Sequence, residues 1–153
     1  MLKPESCLSE AEINEILTKA PVGNLALAME DVPYTIPMNF VYHQGKIYFH
    51  CKPEGRKINY LEANPKACFQ VSEVGEMIRG KNPCKYGYKF RSVTVEGVMQ
   101  EVKEYQDKLD ALEILSVKYT GPKLAVGKIM PGQVEKVRVF CLQPEIIAGK
   151  KDS

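Results

Sequence analysis

The sequence predicts a mainly β protein: an antiparallel sheet of about six strands closing into a small barrel, with a few helices around it. Three observations lead there. Short alternating apolar segments follow one another, most with only a turn between them, as in hairpins. Helical periodicity is confined to a few scattered stretches, too irregularly placed for an α/β alternation. The chain has 153 residues, 44% apolar and 26% charged, a mixture that suits one domain over residues 1–153.

Each element has a local cause. Ser9-Glu10-Ala11-Glu12 reads as a capping box, and Ile13, Ile16 and Leu17 continue at helical spacing until Pro21. Gly23–Met29 is the first strand. Glu30-Asp31 turns the chain into a second, expected over 34–42, where Pro37 demands an edge position or a distorted ladder because it donates no hydrogen bond. His43-Gln44-Gly45 is a tight turn, and Lys46–Cys51 is the third strand, with Ile47 and Phe49 on one face. Pro53-Glu54-Gly55 breaks the chain before a short helix, Arg56–Ala63, which stops at Asn64-Pro65.

Strand character resumes over 66–72, and 75–86, with Gly80 and Pro83, reads as an irregular surface loop. The longest strand is expected over 90–102. Its Val93/Val95 alternation breaks where Val98 directly follows Gly97, which predicts a bulge. A helix over 104–119 carries Tyr105, Leu109, Leu112 and Leu115 as one stripe for core packing. A Gly/Pro-rich connection over 121–132 leads to the last strand, 134–142.

Composition narrows the partners. Lys and Arg total 21 against 19 for Asp and Glu, a net charge of +2, so no broad field draws the chain to nucleic acid or to an anionic membrane. A bound anion must therefore be held by a local cluster. The apolar runs are too short to span a bilayer, and the first residues do not form a secretion signal. The five cysteines are odd in number and contain no Cys-x-x-Cys pair, which favours reduced thiols in a cytoplasm.

Three segments point to chemistry. Gly55-Arg56-Lys57 opens a helix, where unpaired amides, a guanidinium fork and an ammonium together suit a phosphate. Basic residues at a helix start are more often simply solvated, yet they oppose the usual preference for acids there. Ile36-Pro37-Met38-Asn39-Phe40 offers an unpaired strand backbone to a flat heteroaromatic ring, though an ordinary edge strand has the same look. Tyr48-Phe49-His50-Cys51 ends a strand with His50 six residues before Arg56. Such a histidine is commonly just packed or solvated. Metal is not expected, because His43, His50 and Cys51 lack zinc-type spacing.

Followed by Arg91-Ser92-Val93-Thr94-Val95-Glu96-Gly97, these segments resemble the flavin-binding split barrels related to pyridoxamine 5′-phosphate oxidase, and most closely the nitroimidazole-resistance branch. The resemblance runs from about Leu8 to Lys150. It implies a six-stranded antiparallel split β-barrel that binds FMN, or FAD in its place. By that resemblance the backbone of Ile36, Pro37, Met38, Asn39, Phe40 and Val41 lines the flavin. Phe49 and His50 lie beside it, Arg56 and Lys57 grip the phosphate, and Ser92 comes from the second subunit of a homodimer. The oxidase branch carries a C-terminal Arg-x-His motif that is missing from Gln143-Pro144-Glu145-Ile146-Ile147-Ala148-Gly149-Lys150, so vitamin B6 oxidation is not expected.

The resulting expectation is a flavin-dependent oxidoreductase acting on a small organic acceptor such as a nitroimidazole, with His50 as the polar helper. Two alternatives stay open: a non-catalytic flavin carrier, and a haem-binding relative on the same barrel with His50 as ligand.

Overall fold

The computed structural model describes residues 6–152. The capping box forms as the sequence predicts: the amide of Glu12 donates to Ser9 Oγ, and the amide of Ser9 donates to Glu12 Oε1, each at 3.1 Å. It starts α1 (Glu10–Lys19), which buries Ile16 and Leu17. The strands β1 (Gly23–Met29), β2 (Val32–Met38), β3 (Val41–His43) and β4 (Lys46–Cys51) follow, then α2 (Arg56–Ala63). Next come β5 (Lys66–Ile78), β6 (Gly87–Val102), α3 (Tyr105–Thr120), α4 (Pro122–Ala125), α5 (Pro131–Glu135) and β7 (Arg138–Lys151). No helix among the described residues is long and apolar enough to cross a membrane.

All strand pairs are antiparallel, and the sheet order is β2-β1-β5-β6-β7-β4-β3. The sheet therefore has seven strands rather than six. The strand expected over 34–42 is two, on opposite edges of the sheet, joined by Asn39-Phe40. The reason is tertiary. Phe40 gives its N–H to Tyr119 Oη at 2.9 Å, and its carbonyl accepts from Lys118 Nζ at 2.8 Å, so no strand ladder runs through it. The hydrogen-bonded sheet does not close on itself, and the split lies at this corner.

Three further boundaries differ from expectation. Residues 75–78 belong to β5, because Met77 and Ile78 pair with β6 beyond a register shift between Val74 and Met77. β6 begins at Gly87, earlier than expected. Val134 lies in α5, started by Pro131, and β7 runs well past 142 because β6 pairs with it as far as Lys151. The predicted bulge is present: the β6–β7 register shifts between Glu96 and Gly97. A Cβ on Gly97 would lie 2.0 Å from the carbonyl oxygen of Gln143, so the close approach requires glycine.

The core fills the barrel. Phe69 meets Phe40 and Phe49 at centroid distances of 4.7 and 5.1 Å, surrounded by Leu25, Ile47, Val93 and Val95. A smaller cluster joins Ala111 and Leu112 of α3 to Val134 and Val139. The α3 stripe packs through Leu112 and Leu115, with Leu109 half-buried, but Tyr105 is exposed because it begins the helix. That helix is capped by Glu104, whose carboxylate accepts from the amides of Gln106 and Asp107. Those bonds hold its pKa below the usual carboxylate value.

Candidate functional site

Gly55 precedes α2 with φ of 131°, a backbone that favours glycine, and no side chain caps the helix. The first amides of α2 are thus open to an acceptor. Arg56 lies over the Tyr34 ring at 4.1 Å and the Tyr60 ring at 5.4 Å, and its Nη2 donates to Tyr60 Oη at 3.3 Å. The Tyr34 ring face and the bond to Tyr60 hold the guanidinium in place and leave its other donors for a ligand. Among the described residues no carboxylate forms an ion pair with Arg56 or Lys57. Among the described residues, this positioned cation has no carboxylate within ion-pair distance.

These groups open on a cavity of about 560 Å³ lined by Tyr34, Ile36, His50, Cys51, Arg56 and Lys57 among others. His50 projects from β4, where it pairs with Val139 of β7. Its pKa is lowered, first by removal from solvent and then by the Lys57 charge, so the imidazole is neutral at pH 7. Cys51 beside it is buried, and desolvation raises its thiol pKa, so it is no ready nucleophile.

The β2–β3 corner is fixed from outside the sheet. Lys118 Nζ donates to the carbonyls of Ala20 (2.6 Å) and Phe40 (2.8 Å) and sits 3.7 Å above the Phe40 ring. Tyr119 Oη also lies 2.8 Å from the carbonyl of Pro21. Both polar groups of the Phe40 backbone are occupied by α3, which leaves the stretch 36–39 as the available edge.

Ile36, His50, Arg56 and Lys57 thus meet around one cavity, and Asn39 joins His50 at a second. Pro37 is exposed, whereas Met38, Phe40 and Val41 are buried. The Phe49 side chain lies in the core against Phe69 and does not face the cavity. Ser92 is buried on β6, between Ser72 and Lys150 on the neighbouring strands, and lines neither cavity. Sequence reasoning missed Tyr34, Tyr60, Lys118 and Tyr119. Tyr60 carried a usable signal, four residues after Arg56 on the same helix.

The sequence pattern of pyridoxamine 5′-phosphate oxidase matches residues 9–151. The chain belongs to that family. Among solved structures, it is similar to a candidate 5-nitroimidazole antibiotic resistance protein of Bacteroides thetaiotaomicron, with 25% identity and a TM-score of 0.82 over 97% of this chain and 90% of the other. A FAD-binding protein of Mesorhizobium loti is 27% identical with a TM-score of 0.70, covering 95% and 96%. A flavocytochrome of Azotobacter vinelandii shares the fold at 18% identity and a TM-score of 0.86, covering 99% of this chain and 72% of that one. The antiparallel split-barrel fold thus recurs in solved proteins, among them one described as FAD-binding and one as a flavocytochrome.

Proposed function

We propose that this member of the pyridoxamine 5′-phosphate oxidase family is an FMN-binding oxidoreductase that passes electrons to a small organic acceptor such as a nitroimidazole. One observation supports this above the others: Arg56, held over the Tyr34 ring and hydrogen-bonded to Tyr60 Oη, and in no ion pair among the described residues, stands beside Lys57 at an uncapped helix start. A terminal phosphate fits that donor set, through the guanidinium fork, the ammonium and the leading amides of α2. FAD presents the same phosphate chemistry, and a single basic cluster favours the shorter cofactor.

In this reading the backbone of 36–39 takes the polar edge of the ring. The Ile36 side chain lies against its apolar body, and Ser92 reaches it from the second copy in a homodimer. The flavin, when bound, supplies the electron transfer. The chain's own residues bind, orient and exclude water. His50, neutral at pH 7, can hold a proton on one ring nitrogen and accept one on the other.

Purification from a flavin-replete host tests the reading directly. About one oxidised flavin per chain is expected, visible in the absorption spectrum. Hydrogen bonds to charged groups contribute roughly 1.5–3 kcal/mol each, so Arg56→Ala and Lys57→Ala should each weaken FMN affinity about ten-fold or more. Colourless protein that takes up no added FMN refutes the proposal. Unchanged affinity in both variants moves the phosphate elsewhere, and a Soret band without flavin bands supports the haem-binding alternative instead.

A further inference from the structure

The last turn of α3 carries two neighbouring residues whose polar atoms reach the start of β1 and the end of β2. Lys118 Nζ donates to the carbonyls of Ala20 and Phe40, at 2.6 and 2.8 Å. Tyr119 Oη accepts the Phe40 N–H at 2.9 Å and gives its own proton to the Pro21 carbonyl at 2.8 Å. Ala20 and Pro21 lead into β1, while Phe40 follows β2, and the two strands pair from Gly23 and Met38 onward. The open end of the β1–β2 hairpin is therefore pinned on both its strands by one helical turn, 78 to 98 residues away in sequence.

Packing alone does not require this arrangement. A methionine at 118 would meet the Phe40 ring without the cost of taking an ammonium out of water. Lys118 forms no ion pair among the described residues. Only the two carbonyls and the Phe40 ring face, 3.7 Å away, offset that cost. What the polar groups add is direction. A trans peptide is planar, and its N–H and C=O point opposite ways. By holding the Phe40 N–H, Tyr119 also sets the plane of the Asn39 carbonyl and turns that oxygen away from its own hydroxyl. Donation through the same peptide makes the carbonyl a stronger acceptor. Asn39 is the last residue of the edge over 36–39.

We propose that Lys118 and Tyr119 are positioning residues for the flavin: through the Phe40 backbone they fix the Asn39 carbonyl to accept from the N–H on the polar edge of the ring. The inference rests on the function proposed above, and adds to it a pair of residues remote from the phosphate cluster. Neither has to touch the cofactor. Hydrogen bonds weaken steeply when misdirected, so a corner released from α3 lowers affinity although Arg56 and Lys57 are unchanged.

The test reads FMN affinity and the visible spectrum of bound FMN at pH 7. Tyr119→Phe keeps the ring, which is 41% exposed, and removes only the hydroxyl. Lys118→Met keeps a long stem and removes the ammonium. Leu109→Ala is the control, because it loosens α3 through the smaller core cluster and leaves the Phe40 contacts in place. Each of the first two variants should lose about three-fold or more in FMN affinity. The visible band of the flavin they still bind should shift, since that band responds to hydrogen bonding at the ring edge. Leu109→Ala should melt at a lower temperature yet keep the affinity and spectrum of the unmodified chain. Affinity and spectrum unchanged in both Tyr119→Phe and Lys118→Met overturn the inference and leave the proposed function standing. An equal loss in Leu109→Ala also overturns it, because general loosening of α3 would then account for the effect. If Lys118→Met does not fold, Tyr119→Phe decides. An unmodified chain that takes up no FMN overturns the proposed function, and this inference falls with it.

Discussion

Lys118 occupies the place on α3 where the stripe of Leu112 and Leu115 would next put an apolar side chain. It is tolerated because its ammonium reaches two carbonyls, those of Ala20 and Phe40, and the face of the Phe40 ring. Removal from solvent brings its pKa down to about 8. In the unfolded chain a lysine titrates near ~10.4. Between those values the unfolded chain keeps a proton that the folded one has shed, so stability from this residue rises with pH over that window. Lys118→Met removes the effect. In urea unfolding, the stability difference between the unmodified chain and Lys118→Met should therefore shift in favour of the unmodified chain from about pH 8 to about pH 10. A flat or opposite trend would mean that the two carbonyls keep the ammonium charged. At this scale Arg56, Lys57 and His50 were legible because a turn and a helix start placed them together within a few residues. Lys118 was not, because its partners lie far away in the chain.

The elements show the same division between local and distant causes. The capping box, the Gly97 bulge and the α2 boundaries follow from short sequence signals, and the structure has all three. The β2–β3 break, the length of β5 and the course of β7 depend on pairing partners, which no local pattern reveals. Pro131 starting α5 was readable, but the Gly/Pro content of that connection masked it. Two glycines separate packing from propensity. At Gly97 an added methyl meets the Gln143 carbonyl, and at Gly132, inside α5, it meets nothing within 4 Å. Gly97→Ala should cost about 1–3 kcal/mol, as overpacking does. Gly132→Ala should be neutral or stabilise by roughly 0.5–1 kcal/mol, because alanine loses less backbone freedom on folding. Denaturant melts of the two variants check this, and equal effects would remove the steric account of the bulge.

At the scale of the whole molecule, the proposed flavin site needs a second wall. The candidates on one chain, from Ile36 to Lys57, cover the phosphate and one edge of a ring. Ser92 lies on the face of β6 opposite to Val93 and Val95, which point into the barrel, and it lines neither cavity of its own chain. Its cross-strand neighbours Ser72 and Lys150 extend this outward face over β5 and β7. If Ser92 touches flavin, it does so from a second copy, and the functional unit is a homodimer that shares its cofactor. A ligand bound only by the assembled state stabilises that state by mass action, so removing flavin should loosen the dimer. Sedimentation of flavin-loaded and flavin-free protein across a dilution series measures the effect, with dissociation expected at higher concentration for the flavin-free form. Ser92→Ala should then weaken FMN binding and dimerisation together. Flavin-loaded protein that stays monomeric at micromolar concentration with its cofactor fully bound would remove Ser92 from the site. The phosphate assignment to Arg56 and Lys57 would stand, because it depends on one chain alone.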